Sequence, residues 1–500
     1  MGVAASVAFE VQLMAGTWTD LTSDTVAVRG ARVAYGISGN GPLDSVATTG
    51  ELAFTLRNDA GGSGGVQGYY SPLHANVRAG WTFGVLVRFL CWHGSDAAQA
   101  VTSITRAGSV ATVTTTANHG YSTDDWVTMT GAIQTAYNQT AVQITVTGLA
   151  TFTYAVTGAP ATPATGTITA RRVYVKFYGK VRVINPSAGR YASQRVAVVA
   201  YDVMRDLAEA DVRQINIGTT ETEAELVTAV LAAIPSTVQP RATDFNTGLD
   251  NYPYAFDDVG NGRKALGLMS DIAHSAFALL VSKGDGTLIL QNRHSRVTGA
   301  SAFAFDDTMH GFDGPVSLEP VFNVVRVTIH PKTVDAAATT VIASATSALA
   351  VEAGATVTVW MDYRDPADVT RKIGATAVVT PLVANTDYGG RPAANGTGAD
   401  VSADLTITPS IFASTAKLAI ANTSAATIYL VTSGGVPFLQ IRGKGIYDNG
   451  AQTYQASSTQ TYGERPLSID MPYQDDPEVA QSAATFIEAQ RNGLVTQPQS

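Results

Sequence analysis

Cysteine is almost absent from this chain, which has one among its 500 residues. A single thiol cannot form an internal disulfide, and it cannot supply the ligands of a cysteine-rich zinc site or an iron–sulfur cluster. These three kinds of site are therefore excluded. Cys91 lies in the apolar run Phe89–Trp92, which predicts inert packing in a core.

Charged residues are also scarce. They make up 15% of the chain, against about 25% in an average soluble domain, and Thr, Ser, Ala and Gly take their place. A surface of that composition resists association poorly. The net charge of −9 argues against general binding to nucleic acid, because neutralising phosphates requires clustered Lys and Arg.

Long apolar runs are missing as well. No stretch approaches the roughly 18 apolar residues that cross a bilayer, and Met1–Ala5 lacks the basic region of a secretory signal. The length predicts roughly three to five domains, each large enough to bury a core. We expect a soluble protein that is made in a reducing compartment and assembled without disulfides.

Alternating apolar and polar residues predict β-structure through most of the chain. Val173–Ile184 and Val196–Val203 flank a turn over Asn185–Gly189, which favours antiparallel pairing. Residues 96–171 and 352–436 shift to Thr, Ala, Val and Gly, as expected for two small inserted β-modules. The same alternation returns at Val325, Val327 and Ile329.

Helical patterns concentrate in residues 205–282. Thr220 followed by Glu223 predicts a capping box, and Pro235 predicts the end of that helix. Helix, strand, tight turn around Asp285 and strand together indicate a small α+β domain. The apolar stripes of its two helices are Leu226, Val230 and Ile234, and Leu266, Met269, Ile272 and Ala273.

A last helix is marked by Asp476 as its cap, Pro477 at its first position and Glu478 beside its N-terminus. Its predicted packing face contains two large apolar residues, Phe486 and Ile487, and we expect that face to dock on the rest of the chain. The full predicted face is Val479, Ala483, Phe486, Ile487 and Gln490.

The histidines give no sign of a metal or catalytic site. No two of them stand at the i, i+4 spacing of a helical metal pair, and none is paired locally with an acid and a nucleophile. We expect structural or surface roles for all seven: His74, His93, His119, His274, His294, His310 and His330.

Two glycine motifs match catalytic or cofactor patterns in form only. Gly61–Gly65 places Ser63 in the nucleophile-elbow spacing, but no helix follows it. Gly260–Ala265 has the spacing of a dinucleotide fingerprint, but the preceding segment is not a buried parallel strand. Both are predicted to be loops.

The paired acids are predicted to lie in turns and helix caps, because neighbouring side chains on a strand point to opposite faces. Asp362, Asp365 and Asp368 stand three residues apart but lack the spacing of an EF-hand, so a cation there stays an open question. Aromatic residues that could form a carbohydrate platform are predicted to be core instead. The acid pairs are Asp257–Asp258, Asp306–Asp307 and Asp475–Asp476, and the aromatics are Tyr69, Tyr70, Trp81, Trp92 and Trp126. No catalytic, cofactor-binding or metal residue and no cofactor is predicted, which favours a structural or binding role over an enzyme.

Several segments resemble the hub proteins at the tip of tailed-bacteriophage tails, also called baseplate hub or minor tail proteins. The N-terminal segments that carry the resemblance are Gly16–Leu21, Gly50–Asn58, Tyr70–Pro72, Arg78–Gly80 and Val85–Arg88. Residues 101–170 resemble a small module of phage virion proteins through Val101–Arg106, Asn118–Tyr121 and Phe152–Tyr154. Leu439–Tyr447 and Tyr462–Asp470, followed by the last helix, resemble the ending of such proteins.

The resemblance implies a mainly β, multidomain fold with two hub-type antiparallel β-barrels, a small α+β domain between them, two inserted β-sandwich-like modules and a C-terminal helix. The predicted domains are a first barrel at 1–95 plus 172–204, an inserted module at 96–171, the α+β domain at 205–299, a second barrel at 300–351 plus 437–474, an Ig-like insertion at 352–436, and the helix and tail at 475–500.

The resemblance further implies a homotrimer whose six barrels match the sixfold tail tube. Its partners would be further copies of itself, the distal tail protein and tail tube, the tape measure protein, and tail fibre or receptor-binding proteins. DNA would only pass through its channel. The protein would belong to the virion, at the tail tip or baseplate, and would be assembled in the host cytoplasm.

Two other functions remain open at this point. The chain could be a host-binding adhesin or fibre that binds through the two inserted modules, although an adhesin would not need the helical middle domain. It could also be a glycan-cleaving tail enzyme in which folding brings together acids such as Asp257 and Asp306.

Overall fold

The computed structural model describes residues 6–26, 31–39, 41, 44–187, 194–212, 215, 220–253, 262–295, 318–432, 435 and 439–493. Strands dominate this part of the chain, which has four α-helices. The prediction of a mainly β, multidomain fold is confirmed. The two barrels are not confirmed, because no sheet closes on itself among the described strands. No described helix has the length and apolar character needed to cross a membrane.

The N-terminal region contains two sets of antiparallel strands that share one long strand. Its strands are β1 (Ser6–Met14), β2 (Thr17–Asp20), β3 (Arg32–Gly36), β4 (Thr48–Arg57), β5 (Leu86–Trp92), β6 (Gln99–Ala107), β7 (Val110–Thr115), β8 (Trp126–Ala132), β9 (Gln139–Gln143), β10 (Thr145–Gly148), β11 (Thr151–Ala155), β12 (Gly166–Pro186) and β13 (Arg195–Tyr201). β13 pairs with β12 in the predicted antiparallel sense.

Seven of these strands form a curled sheet in the order β2-β1-β5-β12-β13-β4-β3. Alternate residues of β4 point inward, so that Leu52, Phe54 and Leu56 join a core with Phe9 and Phe177. Beyond the β2 edge the chain returns to β4 through a bridge between Thr25 and Leu56. The sheet is therefore strongly curled without closing.

β12 connects this sheet to the module formed by β6–β11. The first half of β12 pairs with β6 and β8, and its second half pairs with β5 and β13. The module has its own core, which includes Ile104, Val113, Phe152 and Tyr154. One continuous strand thus fixes the module to the sheet.

A mixed α+β region follows. Its elements are α1 (Val203–Glu209), β14 (Asp211–Val212), β15 (Glu221–Thr222), α2 (Glu223–Ala232), β16 (Ala242–Phe245), β17 (Asn251–Tyr252), β18 (Arg263–Lys264), α3 (Ala265–Ser275), β19 (Leu279–Ser282) and β20 (Thr287–Gln291). β19 and β20 form the predicted hairpin, and β16 adds to β20 in parallel. The helices and this small sheet share one core.

Two boundaries in this region differ from the sequence prediction. The capping box is formed by Thr222 and Glu225 instead of Thr220 and Glu223, because α2 begins two residues later than expected. β13 also ends at Tyr201, two residues before its predicted end at Val203, since the Asp202 carboxylate accepts a hydrogen bond from the Met204 N–H and caps α1.

The C-terminal region contains β21 (Val324–Ile329), β22 (Lys332–Val334), β23 (Thr340–Ser344), β24 (Leu349–Val351), β25 (Thr356–Asp362), β26 (Gly374–Thr376), β27 (Gly390–Arg391), β28 (Leu405–Ile411), β29 (Thr415–Asn422), β30 (Ile428–Leu430), β31 (Gln440–Asp448), β32 (Gln452–Ser457), β33 (Pro466–Met471) and α4 (Pro477–Arg491). The predicted β21 alternation is confirmed, since Val325, Val327 and Ile329 are fully buried. A core that includes Ile342, Leu418 and Ile441 contains residues from both sides of positions 352 and 436. The predicted domain limits therefore stay a prediction.

α4 packs on the sheet β32-β21-β33, and its predicted start is confirmed: Asp476 caps it and Pro477 occupies its first turn. The predicted packing face is wrong in part. Ala480, Ala484 and Ile487 are buried, whereas Phe486 is 48% exposed. The buried residues follow one another at i, i+4 and i+7 along the helix, and Phe486 lies off that stripe and faces solvent.

Candidate functional site

The histidines that the structure describes take part in packing and turns. The His119 ring lies nearly parallel to that of Tyr121, with centroids 4.9 Å apart. Its Nδ1 accepts a hydrogen bond from the Tyr121 N–H, and its Nε2 lies 3.1 Å from the carbonyl oxygen of Gly148. His330 pairs with Asp470 at 2.8 Å on a polar sheet face. Neither histidine is part of a nucleophile, base and acid arrangement.

Asp362, Asp365 and Asp368, which the sequence left open as a possible cation site, form contacts within the chain instead. Asp362 pairs with Arg364 at 3.0 Å, and Asp365 lies 3.6 Å from Arg371. Asp368 accepts hydrogen bonds from the residue two positions later in a tight turn. No group of three or more His, Cys, Asp or Glu side chains in the described part of the chain could hold a metal ion.

Some sequence candidates cannot be placed. Gly260, Asp257, Asp258, Asp306, Asp307 and His310 lie outside the described residues. Of the remaining acid pair, Asp476 caps α4. Burial raises the pKa of Asp475, and nearby Asp476 adds to this effect.

The glycine loop that resembles a nucleophile elbow has a structural role. Ser63 donates its hydroxyl to the carboxylate of Asp24 at 2.5 Å and its backbone N–H at 2.7 Å. The same carboxylate accepts the hydroxyl of Tyr70 at 2.5 Å, and Arg78 donates to the Tyr70 oxygen at 2.8 Å. The Ser63 side chain and backbone are thus both held by the buried Asp24 carboxylate.

The electrostatics of this cluster favour an ionised Asp24. The residue is only 2% exposed, and burial alone would raise the pKa of its carboxyl group. The hydrogen bonds from Ser63 and Tyr70, together with nearby Arg78, outweigh burial and lower that pKa. The pKa of the Tyr70 hydroxyl is raised, first by burial and then by its bond to Asp24. We call Asp24, Ser63, Tyr70 and Arg78 the carboxylate brace.

A second set of contacts fixes the same loop from its N-terminal end. The Asn58 side chain accepts the Tyr70 N–H at 2.8 Å and donates to the Ser71 hydroxyl at 2.8 Å. Trp81 packs edge-on against Tyr70 and donates its indole N–H to the Tyr70 carbonyl. Gly80 approaches Leu13 so closely that an added Cβ would lie 2.3 Å from the Leu13 oxygen. Residues 58–85 are therefore a braced loop, held at both ends.

The braced loop presents large apolar side chains to solvent. Leu73 is fully exposed and Phe83 is 55% exposed. Met14, which is 70% exposed, follows the Leu13 that Gly80 contacts. Single exposed apolar residues are common, whereas a contiguous apolar patch is typical of a site that another protein covers. We call Met14, Leu73 and Phe83 the apolar tips.

The five aromatic residues that were considered as a carbohydrate platform differ in burial. Tyr70 and Trp81 are buried in the core, as predicted, whereas Tyr69, Trp92 and Trp126 are half-buried. Cys91 is also half-buried on β5 and not fully buried in a core.

Sequence reasoning missed the carboxylate brace because its members are far apart along the chain. Asp24 and Ser63 are separated by 39 residues, and Asp24 and Tyr70 by 46. The available signal was the cluster of Tyr70, Arg78 and Trp81 in a glycine-rich loop, which is more polar and aromatic than a flexible linker requires. Trp360 was also missed, and it is the most exposed of the five tryptophans.

Comparisons with known proteins return tail proteins among solved structures. No model of a known family matches the chain, and no curated protein matches it. The solved structures it resembles include a tail protein from Neisseria meningitidis, with a TM-score of 0.32, 9% identity and 65% of each chain covered. A 43 kDa prophage tail protein from Shewanella oneidensis has a TM-score of 0.32 and 11% identity over 65% of this chain and 64% of its own.

A prophage tail protein from Listeria monocytogenes matches with a TM-score of 0.23 and 9% identity, over 45% of this chain and 63% of its own. The chain thus spans less than two thirds of the length of each of these three proteins.

Proposed function

We propose that the chain is a structural protein of a bacteriophage virion and forms a trimeric hub at the tail tip. In that position it joins the sixfold tail tube and distal tail ring to the host-facing tip. Its centre forms part of the channel for the tape measure protein and the DNA. Its role is assembly and not catalysis.

The observation that carries the proposal is the braced loop with its apolar tips. Three sequence segments that resemble tail hub proteins, Gly50–Asn58, Tyr70–Pro72 and Arg78–Gly80, supply part of the bracing contacts, through Asn58, Tyr70, Arg78 and Gly80. A loop held rigid while it exposes Leu73 and Phe83 loses little conformational entropy when a partner covers it. This is the property expected of a subunit that is complete only in an assembly.

Low charge and exposed sheet edges support the same proposal. β3 and β10 lie at the ends of the strand path in the described part of the N-terminal region, and a strand at a sheet edge can pair with another chain. A chain with 15% charged residues places few repelling groups on such surfaces. Copies of this protein and of neighbouring tail proteins are the proposed partners there, with fibre or receptor-binding proteins on the host-facing side.

Mass measurement of the full-length purified chain in solution tests the proposal. We expect a species of three times the 52.1 kDa chain mass at micromolar concentration. Electron microscopy of that species should show a ring, and antibody labelling should place the chain at the tail tip of virions. A chain that stays monomeric at high concentration and is absent from the tail tip would contradict the proposal.

A double variant, Leu73→Ser with Phe83→Ser, tests the surface itself. Removing two apolar anchors should weaken self-association at least about tenfold, which corresponds to about 1.4 kcal/mol. Val369→Ser is the matched control, because Val369 is 71% exposed in the C-terminal region. An unchanged trimer in the double variant would show that the apolar tips do not form the contact between copies.

A further inference from the structure

We propose that the face around Trp360 binds an anionic saccharide, with a sugar ring on the indole and its carboxylate or phosphate group at Lys417. The face lies on the sheet β25-β29-β28 in the C-terminal region, whereas the loop that carries the proposed function belongs to the N-terminal region. The inference goes beyond the assembly role and does not depend on it.

Trp360 is unusual in its exposure. It is 51% exposed, whereas Trp81 is buried and the other three tryptophans are half-buried. Trp81, Trp92 and Trp126 donate their indole N–H groups to partners inside the chain. A large apolar ring left in solvent at an ordered strand position has a free-energy cost of hydration that a ligand can remove.

Trp360 does not stand alone on this face. The Phe412 ring lies nearly parallel to it, at an interplanar angle of 22° with centroids 5.9 Å apart. The two rings are stacked next to the turn between β28 and β29, with Phe412 half-buried and Trp360 more exposed. A sugar ring has one apolar face, which is made of C–H groups. Exposed aromatic rings are the protein groups that contact this face.

A positive charge lies over the Trp360 ring. Lys417 stands directly opposite Trp360 in the pairing of β25 with β29, and its Nζ lies 5.6 Å from the indole centroid. Lys417 forms no ion pair with any described residue. Asp362, two residues beyond Trp360, is matched by two cations, Arg364 at 3.0 Å and Lys372 at 3.7 Å. The local charge is thus positive on a chain whose net charge is −9.

The remaining positions of the face are small and polar. Thr358 and Thr408 flank Ala419 in one row, and Ser410 lies opposite Lys417. Protein interfaces are depleted of Lys and Ser and enriched in large apolar anchors, which this face lacks beyond its two rings. Single-stranded nucleic acid requires a groove of Lys and Arg along its backbone, whereas hydroxyls occupy the neighbouring rows here. Rows of hydroxyls next to aromatic rings, with one lysine that forms no ion pair among the described residues, fit a short acidic saccharide best.

Titration calorimetry of the full chain tests the inference with four probes. Tetragalacturonic acid and a phosphorylated mannan fragment carry the two anionic groups, maltotetraose is the neutral saccharide, and twelve-residue oligothymidylate represents nucleic acid. We expect at least one anionic saccharide to bind more tightly than maltotetraose, with an affinity that falls as salt is added.

Variants connect the binding to the named residues. Trp360→Ala should weaken binding at least about tenfold, while Trp360→Phe should retain most of it. Lys417→Gln should weaken the binding of the anionic saccharide several-fold and leave the binding of maltotetraose unchanged. Phe486→Ala is the matched control, since Phe486 is an aromatic residue of similar exposure on a different surface. Thermal unfolding of each variant shows that the fold is kept.

Three outcomes would overturn the inference: no binding of either anionic saccharide at millimolar concentration, wild-type affinity in Trp360→Ala, or tighter binding of oligothymidylate than of both anionic saccharides. The tail-hub proposal is measured separately, through the mass of the assembly and through Leu73 and Phe83. Failure of one test therefore leaves the result of the other unchanged.

Discussion

At the scale of single residues, Asp24 decides how the loop 58–85 is held. Its carboxylate receives two bonds from Ser63 and one from Tyr70, and each of these partners lies in the loop. Breaking a bond to a buried charged group leaves that group without compensation, which costs more than losing an exposed contact. The brace is therefore stabilising only as a complete set.

Asp24→Asn should lower the free energy of opening the loop by about 2 kcal/mol at neutral pH. The reason is that an amide cannot accept all three hydrogen bonds that the carboxylate accepts. The folded pKa of Asp24 lies below its ordinary value of 3.8, so its stabilisation is present above that value and is lost as pH falls through the folded pKa. The difference in the free energy of loop opening between wild type and variant should therefore be largest near pH 7 and should decrease below pH 3.8.

Hydrogen exchange of the amides in residues 59–84 measures this effect, and a roughly 30-fold loss of protection is expected at pH 7. Asp59→Asn is the control, because Asp59 accepts one exposed bond from Gly61 within the loop. Equal exchange in wild type and Asp24→Asn would show that the brace does not hold the loop.

At the scale of elements, the sequence located α4 correctly but misjudged its orientation. The cap at Asp476 and the proline at Pro477 are local features, and both appear as predicted. The choice between Phe486 and Ile487 as the buried residue depends on the sheet under the helix. Ala480 and Ala484 set the contact line there, and Ile487 continues it one turn later.

Ile487→Ala should destabilise α4 by about 2 to 4 kcal/mol, because it removes buried methyl groups and leaves a cavity against the sheet. Phe486→Ala, next to it in sequence, should change stability by less than about 0.5 kcal/mol because its side chain is half in solvent. Hydrogen exchange of the α4 amides separates the two variants. A larger effect from Phe486→Ala would support the face predicted from sequence.

At the scale of the whole molecule, one tight turn connects three regions. The turn between β19 and β20 places Gly284 against β12 of the N-terminal sheet. Asp285 in the same turn pairs with Arg241 at 3.2 Å, and Arg241 lies over the ring of Trp126 in the inserted module. The α+β region is thus fixed to both the sheet and its module.

Gly284→Ala should weaken the contact between the β19–β20 turn and β12, since the added Cβ would lie 2.7 Å from the backbone oxygen of Lys176. The expected cost is about 1 to 3 kcal/mol, because backbone on both sides must shift. Gly267→Ala in α3 is the control: nothing lies within 4 Å of its added Cβ, and alanine favours a helix.

Small-angle scattering should show an expanded molecule for Gly284→Ala only, with faster hydrogen exchange at residues 174–178. An unchanged scattering curve and unchanged exchange would mean that the turn does not fix the two regions to each other.

Features that depend on near neighbours in the chain could be predicted from the amino-acid sequence. Alternation at Val325, Val327 and Ile329 predicted a buried strand, and the single cysteine excluded an internal disulfide. Tertiary structure decided which surfaces meet, because those contacts join residues far apart in the chain. Asp24 reaches Ser63 across 39 residues, and Trp360 is exposed because no other element covers the outer face of its sheet among the described residues. Periodicity shows that a strand has two faces, and only long-range packing determines which face is covered.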